Sequence, residues 1–146
     1  MARQHLKPLA ILHVEDDDND ALLFEKACQR AALPILLQRI ADGEAARAYL
    51  AGEGLFADRA RYPLPQVIVL DLKLPKLSGF ELLAWIRSQH ALAHVPVLVF
   101  TASLSREDRS RALAGGANSF FVKPPCFEDL VHLVRHFNLP DPRNLN

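Results

Sequence analysis

The sequence has no excess of charge of either sign: 17 lysines and arginines meet 17 aspartates and glutamates, for a formal net charge of 0 at pH 7. Without an excess of positive charge there is no general electrostatic case for nucleic acid or an anionic membrane surface as a partner. No apolar run approaches the roughly 18–20 residues that a bilayer span needs. The opening MARQHLKPLAILHV starts basic, but acids follow its short apolar run at once. It therefore lacks the longer apolar region and cleavage site of a signal peptide, and a cytoplasmic protein is expected. Cysteine is scarce. Cys28 and Cys126 lie far apart and match no metal-ligand or redox spacing, so both are expected to be inert thiols. Internal repeats, low-complexity tracts and interdomain linkers are also missing.

Apolar residues make up 50% of the 146, enough for a packed core and against global disorder. The length fits one domain, 1–146, with its core at about 9–137. The tail from Asn138 to Asn146 has two prolines and little to bury, and is expected to be extended. Short apolar runs at Leu9–Val14, Ile35–Ile40, Val67–Leu70, Val95–Phe100 and Ser119–Val122 read as five buried strands. Helical patterns separate them. Ala21, Phe24, Ala27, Cys28 and Ala31 share one stripe of the first helix, and Phe127, Leu130, Val131, Val134 and Phe137 share one of the last. Ser78-Gly-Phe-Glu81 has the form of a capping box opening the third helix, which carries Leu82, Leu83 and Ile86. Five strand–helix units argue for an α/β, doubly wound parallel sheet with right-handed crossovers. The leading arrangement is the flavodoxin-like (βα)5 order 2-1-3-4-5. The segment from Gly52 to Pro65 is longer than such folds need and reads as a solvated loop.

Ligands of open α/β sheets gather beyond the carboxyl ends of the strands, at the topological switch point. The residues that follow each apolar run are therefore informative. The first run ends in Glu15-Asp16, the third in Asp71, the fourth in Thr101 and the fifth in Lys123. In the order 2-1-3-4-5 the first and third strands are neighbours, so Glu15, Asp16 and Asp71 converge with Thr101 and Lys123 beside them. Three carboxylates repel one another unless cations intervene. Lys123 brings one charge and a divalent ion two more. Mg²⁺ suits oxygen-only ligands that include one or two carboxylates, so Glu15 and Asp16 are the expected metal holders. Asp71 contributes an oxygen, and the Lys73 backbone carbonyl completes the set. Asp71 is the candidate nucleophile, forming an aspartyl phosphate, with Mg²⁺ and Lys123 stabilising the charge that develops on the phosphoryl oxygens. The small side chain of Ala102 leaves room for a phosphodonor. Asp17 or Asp18 also has the plainer reading of a helix cap.

The motifs Val14-Glu15-Asp16-Asp17, Asp71-Leu-Lys-Leu-Pro75-Lys-Leu-Ser-Gly79, Thr101-Ala102 and Lys123-Pro124 closely resemble the response-regulator receiver domain, from about Leu9 to Phe137. The resemblance implies the 2-1-3-4-5 fold, Mg²⁺ dependence and phosphotransfer from a sensor histidine kinase onto Asp71. It implies Glu15 and Asp16 as the acid pair, Thr101 as the switch hydroxyl, Lys123 as the phosphate-binding lysine and Phe120 as the switch aromatic. It also suggests a cis Lys123–Pro124 peptide. Two positions depart from the commoner pattern: Glu15 stands where Asp is usual, and Phe120 lacks the phenol of a Tyr. Within the family, ILHVEDDDND, the long loop before VIVLDLKLPKLSGFELL and the missing output domain resemble the small regulators paired with bacterial phytochrome kinases.

The resemblance further implies that the Thr101 hydroxyl swings toward a phosphoryl group and that Phe120 rotates inward behind it. The surface formed by the fourth helix, fifth strand and fifth helix would then change and signal to a downstream partner that the sequence does not name. The fourth helix, roughly Ser105–Ala114, has few large apolar residues and is expected to shift easily. Leu133 reads equally as a dimer contact or as packing at the edge of the last helix's stripe. His132 and His136 have the i, i+4 spacing of zinc pairs but no third ligand nearby, so a solvated face is expected. His13 reads as a hydrogen-bonded interior residue. Two other functions compete. A dehalogenase-type phosphatase would need an acid at position 73, where lysine stands, and a cap domain. A phosphorylation-independent interaction module would not need all five key side chains. A DNA-binding regulator would need residues for a helix-turn-helix that this length does not offer.

Overall fold

A computed structural model describes residues 8–137 and 139, and within them the strand–helix alternation becomes five strands and five α-helices. The strands are β1 (Leu9–Val14), β2 (Ile35–Ile40), β3 (Val67–Leu70), β4 (Val97–Thr101) and β5 (Ser119–Val122). The helices are α1 (Asp18–Arg30), α2 (Gly43–Ala51), α3 (Gly79–Ser88), α4 (Arg106–Ala114) and α5 (Phe127–Arg135). All strand pairs are parallel and the sheet order is β2-β1-β3-β4-β5, the flavodoxin-like arrangement. The chain crosses from one side of β1 to the other between β2 and β3, which puts the switch point at the carboxyl ends of β1 and β3.

The two-residue period of a strand sends alternate side chains to opposite faces. Leu12, Val14, Ile68, Leu70, Val97 and Val99 pack on one face with α2, α3 and Ala112 of α4. Leu9, Ile11, Val67, Val69, Leu98 and Phe100 pack on the other with α1 and α5. Caps fix where the helices start. Asp17 caps α1 by accepting from the Asp20 amide, Asp42 caps α2, and Ser105 caps α4. Ser78 and Glu81 form both bonds of the capping box that opens α3. No described helix is long and apolar enough to cross a membrane.

Several expectations change in the structure. Strand β4 begins at Val97, because Pro96 has no N–H for the ladder and the Val95 carbonyl accepts from Arg87 Nη1 at 2.7 Å. Phe137 is buried but lies beyond the end of α5, with its ring 4.9 Å from Phe121. Leu133 is half-buried against the α1/α5 core, at the edge of the α5 stripe. The Lys123–Pro124 peptide is trans, the isomer that X–Pro bonds intrinsically favour. Within the expected C-terminal tail, Leu139 packs against the α1/α5 core, while residue 138 and residues 140–146 lie outside the described residues.

The segment from Gly52 to Pro65 is folded rather than merely solvated. Gly52, at φ 70°, takes the left-handed cap of α2, and a 3-10 turn follows at Gly54–Ala57. Arg59 then turns back and donates to the Tyr49 carbonyl at 2.8 Å and the Leu50 carbonyl at 3.0 Å, in the last turn of α2. Phe56 and Tyr62 pack edge to face, 5.2 Å apart, against the core beneath α2.

Candidate functional site

Hydrogen bonding carries the parallel ladder one residue past the strand ends, and this fixes the backbone of the site. The Glu15 amide donates to the Ile40 carbonyl at 3.0 Å, the Asp71 amide to Val14 at 3.1 Å, and the Lys123 amide to Thr101 at 2.8 Å. The ends of β2, β1 and β3, and those of β4 and β5, are thereby held level. The start of α3 closes in from one side. A Cβ at Gly79 would overlap the Asp71 carbonyl oxygen, so only glycine allows α3 to begin this close to the loop after β3.

Glu15 and Asp71 are buried, while Asp16 reaches solvent. Carboxylate oxygens of Glu15, Asp16 and Asp71 lie within 4.8 Å of one another. The Lys123 ammonium sits among acids, 2.5 Å from Glu15 Oε1, 2.8 Å from Asp71 Oδ2 and 2.9 Å from Asp20 Oδ2. The approach to Glu15 is an ion pair without good hydrogen-bond alignment, since Oε1 has no hydrogen-bond partner of its own. Burial pushes the Glu15 carboxyl up to about 7, with the Asp71 charge adding to the rise and Lys123 opposing it. Burial would lower the Lys123 pKa, but its bonds to Asp71, Glu15 and Asp20 outweigh that and raise it.

This donor set fits a small, hard cation. It consists of oxygens, carries more negative charge than Lys123 can balance, and includes a buried carboxyl that resists ionisation without added positive charge. The Lys73 amide approaches Asp71 Oδ1 at 3.4 Å, so the loop after β3 wraps over the Asp71 carboxylate.

Thr101 is buried at the end of β4, and its Oγ1 accepts from the Ser103 amide at 3.3 Å. Ala102 beside it is exposed. Phe120 is half-buried against the α2/α3 core, opposite Val99 in the register. Sequence reasoning missed two residues. Asp20, in the first turn of α1, looks like any acid at a helix N-terminus, and only the fold shows that it reaches Lys123. Arg39 on β2 donates from Nε to the Glu15 carbonyl at 2.8 Å and pairs with Asp18 at 2.8 Å, bracing the first acid from the edge strand.

The other candidates lie apart from this cluster. His132 and His136 are exposed, with His136 Nδ1 2.7 Å from the His132 carbonyl, and no metal-ligating group of three among the described residues includes them. His13 is buried as expected, but its Nδ1 has no hydrogen-bond partner. Its ring lies 4.3 Å from that of Phe24, on a core face that offers few acceptors. Burial, then the charges of Lys123 and Arg39, push its pKa down to about 3. Cys28 is buried and Cys126 exposed, both as free thiols.

A doubly wound sheet whose switch point carries this acid–lysine cluster defines a class, and comparison with known proteins agrees. The chain belongs to the response regulator receiver domain family, which it matches over residues 11–135. It is similar to the probable methanogenesis regulatory protein FilR2 of Methanothrix harundinacea (strain 6Ac), at 37% identity over 127 residues, 87% of this chain and 79% of that one. Response regulator Rcp1 of Synechocystis sp. is 32% identical over 135 residues, 92% of this chain and 90% of its own. A Mn²⁺-bound structure of Rcp1 superposes with a TM-score of 0.80 at 31% identity, covering 92% of this chain and 100% of that one. The phosphorylated cyanobacterial phytochrome response regulator RcpA gives 0.81 at 32% identity, covering 88% of this chain and 89% of its own.

Proposed function

We propose that the chain is a phosphoacceptor of two-component signalling, in which Asp71 takes a phosphoryl group from a histidine kinase. The observation that carries this reading is the Lys123 ammonium 2.8 Å from Asp71 Oδ2, beside two further carboxylates. An Asp71 carboxylate oxygen attacks phosphorus. The P–O bond forms as the P–N bond to the donor imidazole breaks, and the departing nitrogen keeps the electron pair. Lys123 offers positive charge to the phosphoryl oxygens as they pass through the transition state. Mg²⁺, held by Glu15, Asp16, Asp71 and the Lys73 carbonyl, would supply the remaining charge neutralisation. Exposed Ala102 leaves the approach to Asp71 open to the donor. The chain catalyses only its own phosphorylation and dephosphorylation.

The Thr101 hydroxyl then turns from the Ser103 amide toward the phosphoryl group, and Phe120 follows into the space it leaves. The α4–β5–α5 surface changes and carries the signal to a downstream protein. α4 buries only Ala112, so little packing opposes its movement. The likeness to RcpA, a phytochrome response regulator, supports a phytochrome-type histidine kinase as the donor.

Intact mass after incubation with acetyl phosphate, with and without Mg²⁺, tests the reading. The expected result is a gain of one phosphoryl group that needs Mg²⁺ and disappears in Asp71→Asn. No gain, with beryllofluoride also leaving the folded protein unperturbed, would point instead to a phosphorylation-independent interaction module.

A further inference from the structure

A lysine ammonium has three N–H donors and no acceptor. In this protein three carboxylate oxygens already surround that of Lys123, from Glu15, Asp71 and Asp20. Asp71 and Asp20 take hydrogen bonds from it and Glu15 adds an ion pair, so a phosphoryl oxygen arriving on Asp71 must compete with them for the ammonium. Glu15 is 1% exposed, and its backbone is held by Arg39. Asp71 is the acceptor itself. Asp20 differs from both: its side chain is 38% exposed, and the Asp17 cap holds its amide independently of its carboxylate. It can turn to water without leaving a buried charge behind. The helix dipole accounts for an acid in the first turn of α1. It does not account for that acid's 2.9 Å bond to a lysine 103 residues away, just past the end of β5.

Building on the phosphoacceptor reading, we propose that Asp20 is a positioning residue that competes with the phosphoryl group for Lys123. In the resting protein it shares the ammonium with Asp71. In the phosphorylated protein it competes for the ammonium and also repels the new negative charge. Donor competition and charge repulsion act in the same direction, so Asp20 weakens the phosphorylated state. Removing its charge also makes the acid cluster less attractive to a cation. The two ligands thus respond to Asp20 with opposite signs, whereas simple loss of structure would weaken both.

The test compares wild type, Asp20→Asn and Asp20→Glu by calorimetric titration with Mg²⁺, and then with beryllofluoride at saturating Mg²⁺. Asp20→Asn is expected to bind beryllofluoride about three- to tenfold more tightly, and Mg²⁺ about two- to threefold more weakly. Asp20→Glu, which keeps the charge, should stay within about twofold of wild type on both. Asp17 still caps α1 in these variants, and Asp20→Ala provides a second neutral variant with the same expected signs. Unchanged or weaker beryllofluoride binding in the neutral variants, beside a wild type that binds it, overturns the role of Asp20 and leaves the phosphoacceptor reading intact. A wild type that binds no beryllofluoride overturns both.

Discussion

The Ser103 hydroxyl donates to the Asp108 carboxylate at 2.6 Å, tying the loop after β4 to the first turn of α4. The same oxygen accepts from the Ser105 amide at 3.2 Å, and the Ser103 amide holds Thr101 Oγ1 at 3.3 Å. Thr101 is thereby linked to α4 through a single serine.

Loss of this link should loosen the start of α4 before it affects the sheet. A hydrogen bond to a charged acceptor contributes about 1.5–3 kcal/mol. Ser103→Ala or Asp108→Ala is therefore expected to lower hydrogen-exchange protection at the Arg109 amide by about tenfold or more. Amides of β1 and β3 should keep theirs. Equal loss across the sheet would show that the pair supports global rather than local stability.

Arg87 offers a sharper stability test. Its guanidinium donates to the carbonyls of Leu92, Ala93, Val95 and Gly116 and to Asn118 Oδ1. Burial lowers its pKa, yet those acceptors would lose their partner without it. Arg87→Met should destabilise the protein by about 2–4 kcal/mol, and Arg87→Lys should recover only part of this, because an ammonium cannot span the same fork. Chemical denaturation measures both. A loss below about 0.5 kcal/mol would count the network as dispensable.

Mg²⁺ binding should depend on pH through Glu15. With its carboxyl pushed up to about 7, Glu15 holds a proton in mildly acidic solution that a metal would have to displace. Affinity is expected to rise with pH up to about that value and then level off. Calorimetry in buffers of different ionisation enthalpy should register proton release near pH 6 and little near pH 8. A pH-independent affinity would remove Glu15 from the ligand set.

His13 predicts the acid limb of stability. Its pKa is near 3 in the folded chain, against 6.5 ordinarily, so the unfolded state binds the extra proton between those values. Its contribution is complete above pH 6.5 and is lost as pH falls toward 3, with a slope of at most about 1.4 kcal/mol per unit. Glu15 works against it. A raised carboxyl favours folding at low pH, and that gain disappears as pH rises from 4.5 to about 7. Replacing His13 with leucine should flatten the loss of stability below pH 6.5 in denaturant titrations. An unchanged slope would assign that limb to other groups.

The site's main outline was legible in the sequence because apolar runs stop where polar chemistry begins. Val14, Leu70 and Val122 end strands, and Glu15, Asp71 and Lys123 follow them directly. Five strand–helix units made the order 2-1-3-4-5 the leading candidate, and the resemblance to the receiver domain implied the same order. Asp20 was not legible, since nothing local separates a lysine partner from an ordinary first-turn acid. The fold of residues 52–65 was hidden for a related reason. Arg59 reads as a solvated charge until the last carbonyls of α2 are brought within reach. The lost start of β4 could have been read from Pro96, which cannot donate to a ladder.

The level strand ends also determine when in folding the site can exist. Glu15, Asp71 and Lys123 come from strands far apart in sequence, and each is held by a rung to its neighbour in the sheet. No segment shorter than nearly the whole chain can assemble the cluster, and a register slip in one strand would scatter it. Occupancy of the cluster should therefore oppose the cooperative collapse of the entire sheet. A receiver built this way has no site until its sheet is whole.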